Sequence, residues 1–173
     1  ITQATHLIPT LFGSVQNLSG LLEEYYGDGT ITTATYLHKF STTRPLFYNL
    51  QYSKLPSVMS SVTAGFGETY AECIALAKVD LPTSSANNTG CGAMFSGCYN
   101  LQSVTLPQDM SGSSMTNLVS TFQNCYSLTG VTLPPALPGV TTLQDTFNSC
   151  YSLTTLKLPS ELPLVTNFVR AFS

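Results

Sequence analysis

Five cysteines, two histidines and nine carboxylates are the residues of this 173-residue chain that could hold a metal, close a disulfide or act as acid, base or nucleophile. Four of the cysteines, Cys73, Cys98, Cys125 and Cys150, recur at intervals of 25, 27 and 25 residues. A structural zinc site draws its ligands from close CxxC-type pairs, and these thiols stand a whole interval apart. At the equivalent places upstream the chain carries Phe47 and Tyr25, so one position accepts thiol and ring alike. That exchange marks apolar packing, in which cysteine acts as a small hydrophobe. Cys91 falls where other intervals have Leu18, Phe40, Phe66, Leu118, Leu143 and Phe168, and it reads the same way. The pattern favours buried free thiols. A bridge between neighbouring positions stays open, because stacked units bring equivalent residues close.

The remaining candidates for catalysis lack partners. His6 and His38 have no companion at a fixed spacing for a Ser-His-acid or Cys-His arrangement. Glu23 and Glu24 are adjacent, and on a helix they would diverge by roughly 100°, the wrong geometry for a paired acid and base. Gly27-Asp28-Gly29 reads as a tight turn, too short for a calcium or phosphate loop. Asn17-Leu18-Ser19 and Asn87-Asn88-Thr89 are glycosylation acceptors only in a eukaryotic source. The chain is therefore expected to be no enzyme and to carry no metal or cofactor.

The elements that position these residues form a repeat. Cys98-Tyr-Asn-Leu-Gln-Ser-Val-Thr-Leu-Pro107, Cys125-Tyr-Ser-Leu-Thr-Gly-Val-Thr-Leu-Pro134 and Cys150-Tyr-Ser-Leu-Thr-Thr-Leu-Lys-Leu-Pro159 share one pattern, and Cys73 to Pro82 follows it with Ile74 in place of Tyr. Weaker copies run upstream through Phe47 and Tyr25, so about seven units of ~25 residues fill the chain. Val140, Leu143, Phe147 and Cys150 are spaced three, four and three, which predicts a short helix capped by Thr141 with Gln144 three residues on. Val104-Thr105-Leu106 and Val131-Thr132-Leu133 alternate, which predicts a strand with one side inward, ended by proline. One unit cannot bury its apolar face alone, but stacked units share a continuous core. The expected fold is thus an α/β solenoid of strand-plus-helix units on the order of 30 Å long. Residues 1–173 form one domain, degenerate over 1–61 and regular over 62–173.

Composition limits the partners. Hydrophobic residues make up 43%, enough for a core, but charged residues only 9%, against ~25% in an average soluble domain. Ser, Thr, Asn and Gln must carry solubility, which suits an extracellular or virion surface. A net charge of −3 with six Lys plus Arg gives no basic patch for nucleic acid or an anionic membrane. No apolar run approaches the ~20 residues of a membrane span, and Ile1-Thr-Gln-Ala-Thr5 lacks the basic start of a signal peptide.

The FxxCxxLxxVxLP pattern resembles the BspA-like leucine-rich repeats of bacterial surface proteins, carried most strongly by Phe95-Ser-Gly-Cys98, Phe122-Gln-Asn-Cys125 and Phe147-Asn-Ser-Cys150. Phe95, Phe122 and Phe147 with Cys73, Cys98, Cys125 and Cys150 would be its core ladder. The resemblance implies a curved solenoid displayed outside the cell and engaged in adhesion, with the outward strand positions on its concave face as the contact. Those positions pair as Tyr52 with Lys54, Lys78 with Asp80, Ser103 with Thr105, Gly130 with Thr132 and Thr155 with Lys157. Tyr52, Lys54, Lys78 and Asp80, extended by Ser103 and Thr105, are the candidate ligand residues, for an extracellular protein or glycan. A merely solvated face with a local Lys78–Asp80 pair is the competing reading. Tyr26, Tyr48, Tyr99, Tyr126 and Tyr151 would form a file, structural by its regularity. Val165, Phe168 and Phe172 begin a further unit, which leads us to expect either a longer natural solenoid or ends that associate with other chains. A structural spacer or fibre subunit is accordingly the alternative function.

Overall fold

The computed structural model describes residues 50–55, 65–110 and 114–173. Within them five strands stand where the alternation predicts: β1 (Tyr52–Lys54), β2 (Lys78–Asp80), β3 (Ser103–Thr105), β4 (Gly130–Thr132) and β5 (Thr155–Lys157). Their central residues turn inward, with Ser53, Val79, Val104 and Val131 buried and Leu156 half-buried. Pairing is parallel and in register, Tyr52 opposite Lys78, Ser103 opposite Gly130, and Gly130 opposite Thr155. The ladder breaks once, because β1 pairs with β2, while β3, β4 and β5 form a second sheet. Beyond that seam lies the unit of 27 residues. There the Asp109 carboxylate accepts the Ser85 N–H at 2.9 and 3.1 Å and the Ser84 hydroxyl at 2.6 Å, a side chain binding across the units where their strands are unpaired.

The segment that precedes each strand corrects the expectation of a helix. No described residue is α-helical. From Leu143 to Cys150 the chain makes tandem turns: Thr146 N–H bonds the Leu143 carbonyl, Asn148 that of Asp145 and Cys150 that of Phe147. The alternate residues Leu143, Asp145, Phe147 and Ser149 donate instead to carbonyls of Asn167, Val169, Ala171 and Ser173 in the next unit. Asp145 and Ser149 have φ of 53° and 61° and occupy the third place of type II turns, where a left-handed residue is required. Ser120 and Asn124, Ala93 and Gly97, and Glu68 and Glu72 repeat the arrangement. The expected cap is replaced too, since Gln144 N–H bonds the Thr142 hydroxyl at 3.1 Å, not Thr141.

Spacing explains the difference. An α-helix is ~10–12 Å across, whereas paired strands sit ~4.8 Å apart. Units that each carry a helix must splay apart on the helix side, whereas extended turns can hydrogen-bond from one unit to the next at strand spacing. Both the strands and the tandem turns are hydrogen-bonded from one unit to the next.

The core is a set of files. Tyr70, Phe95, Phe122, Phe147 and Phe172 stack with ring centroids 5.4 to 5.7 Å apart, and the first four are buried. Burying each such ring contributes ~1.5–3 kcal/mol. The five cysteines are free thiols. Cys98, Cys125 and Cys150 donate to the carbonyls of Tyr70, Phe95 and Phe122 at 3.0, 3.1 and 3.0 Å. Each of those carbonyls also accepts a backbone N–H in its own unit, from Cys73, Cys98 and Cys125. Cysteine is thus a hydrophobe with a weak donor, and both properties are used. The units assigned to residues 1–49 lie outside the described residues.

Candidate functional site

Parallel pairing of β1 and β2 sets Tyr52 beside Lys78 and Lys54 beside Asp80. The Tyr52 hydroxyl donates to Asp80 Oδ2, Lys78 Nζ lies 3.3 Å from Asp80 Oδ1, and the same ammonium sits 5.2 Å from the Tyr52 ring centroid. The Tyr52 hydrogen bond, followed by the hydrogen bond and charge of Lys78 and the charge of Lys54, holds the Asp80 carboxyl below its ordinary value, against a smaller opposing effect of burial. The Lys78 side chain remains 67% exposed, so this ion pair adds little to stability. Its effect is to fix the positions of three side chains on the surface.

Four of the six candidate ligand residues, Tyr52, Lys54, Lys78 and Asp80, are therefore adjacent. Ser103 and Thr105 lie across the seam on β3, facing the same way. They continue into Gly130 and Thr132 on β4 and into Thr155 and Lys157 on β5, which adds a third exposed lysine to the face.

The tyrosine file is present for Tyr99, Tyr126 and Tyr151, with centroids 4.8 and 5.6 Å apart and interplanar angles of 18° and 9°. Stacked this way, the rings turn their faces to each other. Sugar stacking needs a free face; Tyr126 has a ring on either side, whereas Tyr151 is 78% exposed. Tyr26 and Tyr48 lie outside the described residues, as do His6, His38, Glu23, Glu24 and Asn17.

One pair escaped the sequence reading. On the turn side Arg170 Nε and Nη2 meet Asp145 Oδ1 and Oδ2 at 2.7 and 2.9 Å, a bidentate pair beneath which Asp145 is only 4% exposed. Asn148 and Gln144 also donate to this carboxylate. A signal existed, because Asp145 and Arg170 share one repeat position in successive units and carry opposite charge. Among the described residues no group of three or more His, Cys, Asp or Glu could hold a metal ion, and no helix is long and apolar enough to cross a membrane.

No curated protein and no solved structure matches the chain. The sequence does match the family described as BspA type leucine rich repeat region, in six copies over residues 44–172. The match takes in all five strands, the phenylalanine and cysteine files and the tandem turns. On that ground the chain belongs to the BspA-type leucine-rich repeat family.

Proposed function

We propose that this chain is a non-catalytic binding module of an extracellular or cell-surface protein, recognising a protein or glycan of a host or neighbouring cell through its outward strand face. The observation that carries the reading is the cluster of Tyr52, Lys78 and Asp80, three chemically different side chains pre-arranged on paired strands. Such a surface binds without first ordering itself, which lowers the entropic cost of association. Repeat solenoids present extended faces of this kind for recognition, and the family match favours interaction over catalysis. The test is charge reversal at Lys54, Lys78 and Asp80, followed by attachment to immobilised extracellular-matrix proteins and glycans. Loss of attachment with unchanged melting supports the reading; undiminished attachment excludes the patch as the site.

A further inference from the structure

The chain is acidic overall, yet its charges are sorted by face. Among the described residues every lysine, Lys54, Lys78 and Lys157, occupies an outward strand position, and Asp80 is the sole carboxylate there. The strand face thus has a formal charge of +2. All other described parts together hold Arg170 against Glu68, Glu72, Asp109, Asp145 and Glu161. A polyanion is repelled by those surfaces and drawn to the strand face.

What lies between the cations gives the chemistry of the partner. From β3 to Lys157 on β5 is two strand spacings, on the order of 10 Å along the stack, and Lys78 on β2 lies one unit further, across the seam. The outward positions in between are Ser103, Thr105, Gly130, Thr132 and Thr155. Four offer hydroxyls, each able to donate and accept. The fifth is a glycine that the backbone does not need: a Cβ at Gly130 would meet only the Thr155 carbonyl oxygen at 3.8 Å, and its φ is not left-handed. Glycine inside a strand costs stability and marks close approach by another group. Here it leaves a notch between Ser103 and Thr155. Protein partners are anchored by aromatic or arginine side chains in desolvated pockets, and among the described residues the only aromatic or arginine at an outward strand position is Tyr52. A low-charge, hydroxyl-lined, notched surface instead complements a polyhydroxylated anion.

We propose that the strand face binds an acidic polysaccharide laid along the stack, with sugar carboxylates at Lys78 and Lys157 and a sugar ring in the notch at Gly130. This rests on the strand face being the contact surface. The test uses the whole 173-residue chain against immobilised hyaluronan, neutral dextran and poly-glutamate. Hyaluronan should be held about tenfold or more tightly than dextran at low salt, and the difference should vanish at high salt. Lys78→Ala with Lys157→Ala should weaken hyaluronan binding by about tenfold, while the two Lys→Arg changes preserve it and Glu68→Gln on the turn side has no effect. Gly130→Tyr should abolish binding while melting no lower than the parent chain.

Equal retention on hyaluronan and dextran, or indifference to the lysine pair, overturns the proposal. Tighter retention on poly-glutamate overturns it in favour of an acidic protein segment. If Gly130→Tyr blocks attachment to the matrix proteins and glycans while the lysine changes do not, the strand face stands as the contact and the acidic polysaccharide falls. If neither change affects attachment, the strand-face reading falls as well.

Discussion

The Ser53 hydroxyl meets the Tyr70 phenol oxygen at 2.9 Å inside the core, with both side chains fully buried. Ser53 stands where β2, β3 and β4 have Val79, Val104 and Val131, and Tyr70 where the following units have Phe95, Phe122 and Phe147. The two polar substitutions are therefore compensating. Tyr70→Phe alone should cost ~1–2 kcal/mol by stranding the serine hydroxyl. Tyr70→Phe with Ser53→Val should recover most of that loss. Denaturant melts of the two single variants and the double variant measure the coupling, and additive losses would show that the pair does not act together.

Two glycines should respond oppositely to alanine. Gly65 has φ of 89°, and a Cβ there would lie 2.7 Å from the Gly90 carbonyl oxygen and 3.1 Å from the Gly90 nitrogen, backbone atoms that cannot move aside. Gly65→Ala should destabilise by more than ~1 kcal/mol. Gly130→Ala meets only an ordinary contact, the Thr155 carbonyl oxygen at 3.8 Å, in an extended strand and should stabilise by ~0.5–1 kcal/mol. Thermal melts of the two variants check both signs.

Burial pushes the Cys73 thiol up to about 12, with the charge of Glu72 adding to it, and the Cys150 thiol up to about 11. Cys91, Cys98 and Cys125 are raised further, chiefly by burial. The folded chain keeps these protons where the unfolded chain would lose them, so their contribution is complete below the ordinary thiol value of 9.0 and falls as pH rises above it. Alkaline unfolding should accordingly set in between pH 9 and 12, and replacing Cys125 with serine should move its midpoint upward. In native protein at neutral pH a maleimide should label Cys150, the only half-buried cysteine, before any other. Rapid labelling of Cys98 would contradict the buried file.

Arg170, first by its hydrogen bond, and then Asn148 and Gln144 hold the Asp145 carboxyl well below the usual carboxylate range. A depressed folded-state value means that the stabilisation is present at neutral pH and is lost as pH falls below the ordinary carboxylate value of 3.8 towards the folded one. Arg170→Gln should therefore melt below the parent at pH 7, with the gap narrowing in strong acid. Identical melts at neutral pH would show the pair to be incidental.

The strands were legible because alternation is a local property. Val104 and Val131 between hydroxylated neighbours, closed by Pro107 and Pro134, define both the inward side and the register. The files followed from periodicity alone, since residues one interval apart must stack. Tandem turns were not legible, because the spacing of Leu143, Phe147 and Cys150 is shared by a helix and by successive four-residue turns. Their left-handed residues gave no warning either: Glu68, Ala93, Ser120, Asp145 and Arg170 are not glycine. In Glu68, Ala93, Ser120 and Asp145 that conformation goes with an N–H bonded to a carbonyl of the next unit, and Arg170 keeps it in the last unit.

For the site the division is similar. Repeat register by itself determined that Tyr52, Lys54, Lys78 and Asp80 face outward together, because parallel in-register strands place equivalent residues side by side. Only the tertiary structure decided that Tyr52 and Lys78 both close on Asp80, that a seam separates them from Ser103 and Thr105, and that a Cβ at Gly130 would meet nothing nearer than the Thr155 carbonyl oxygen. The physical reason is that periodicity fixes which residues stack. Rotamers, ladder breaks and free volume depend on contacts between whole units, and no single unit's sequence contains them.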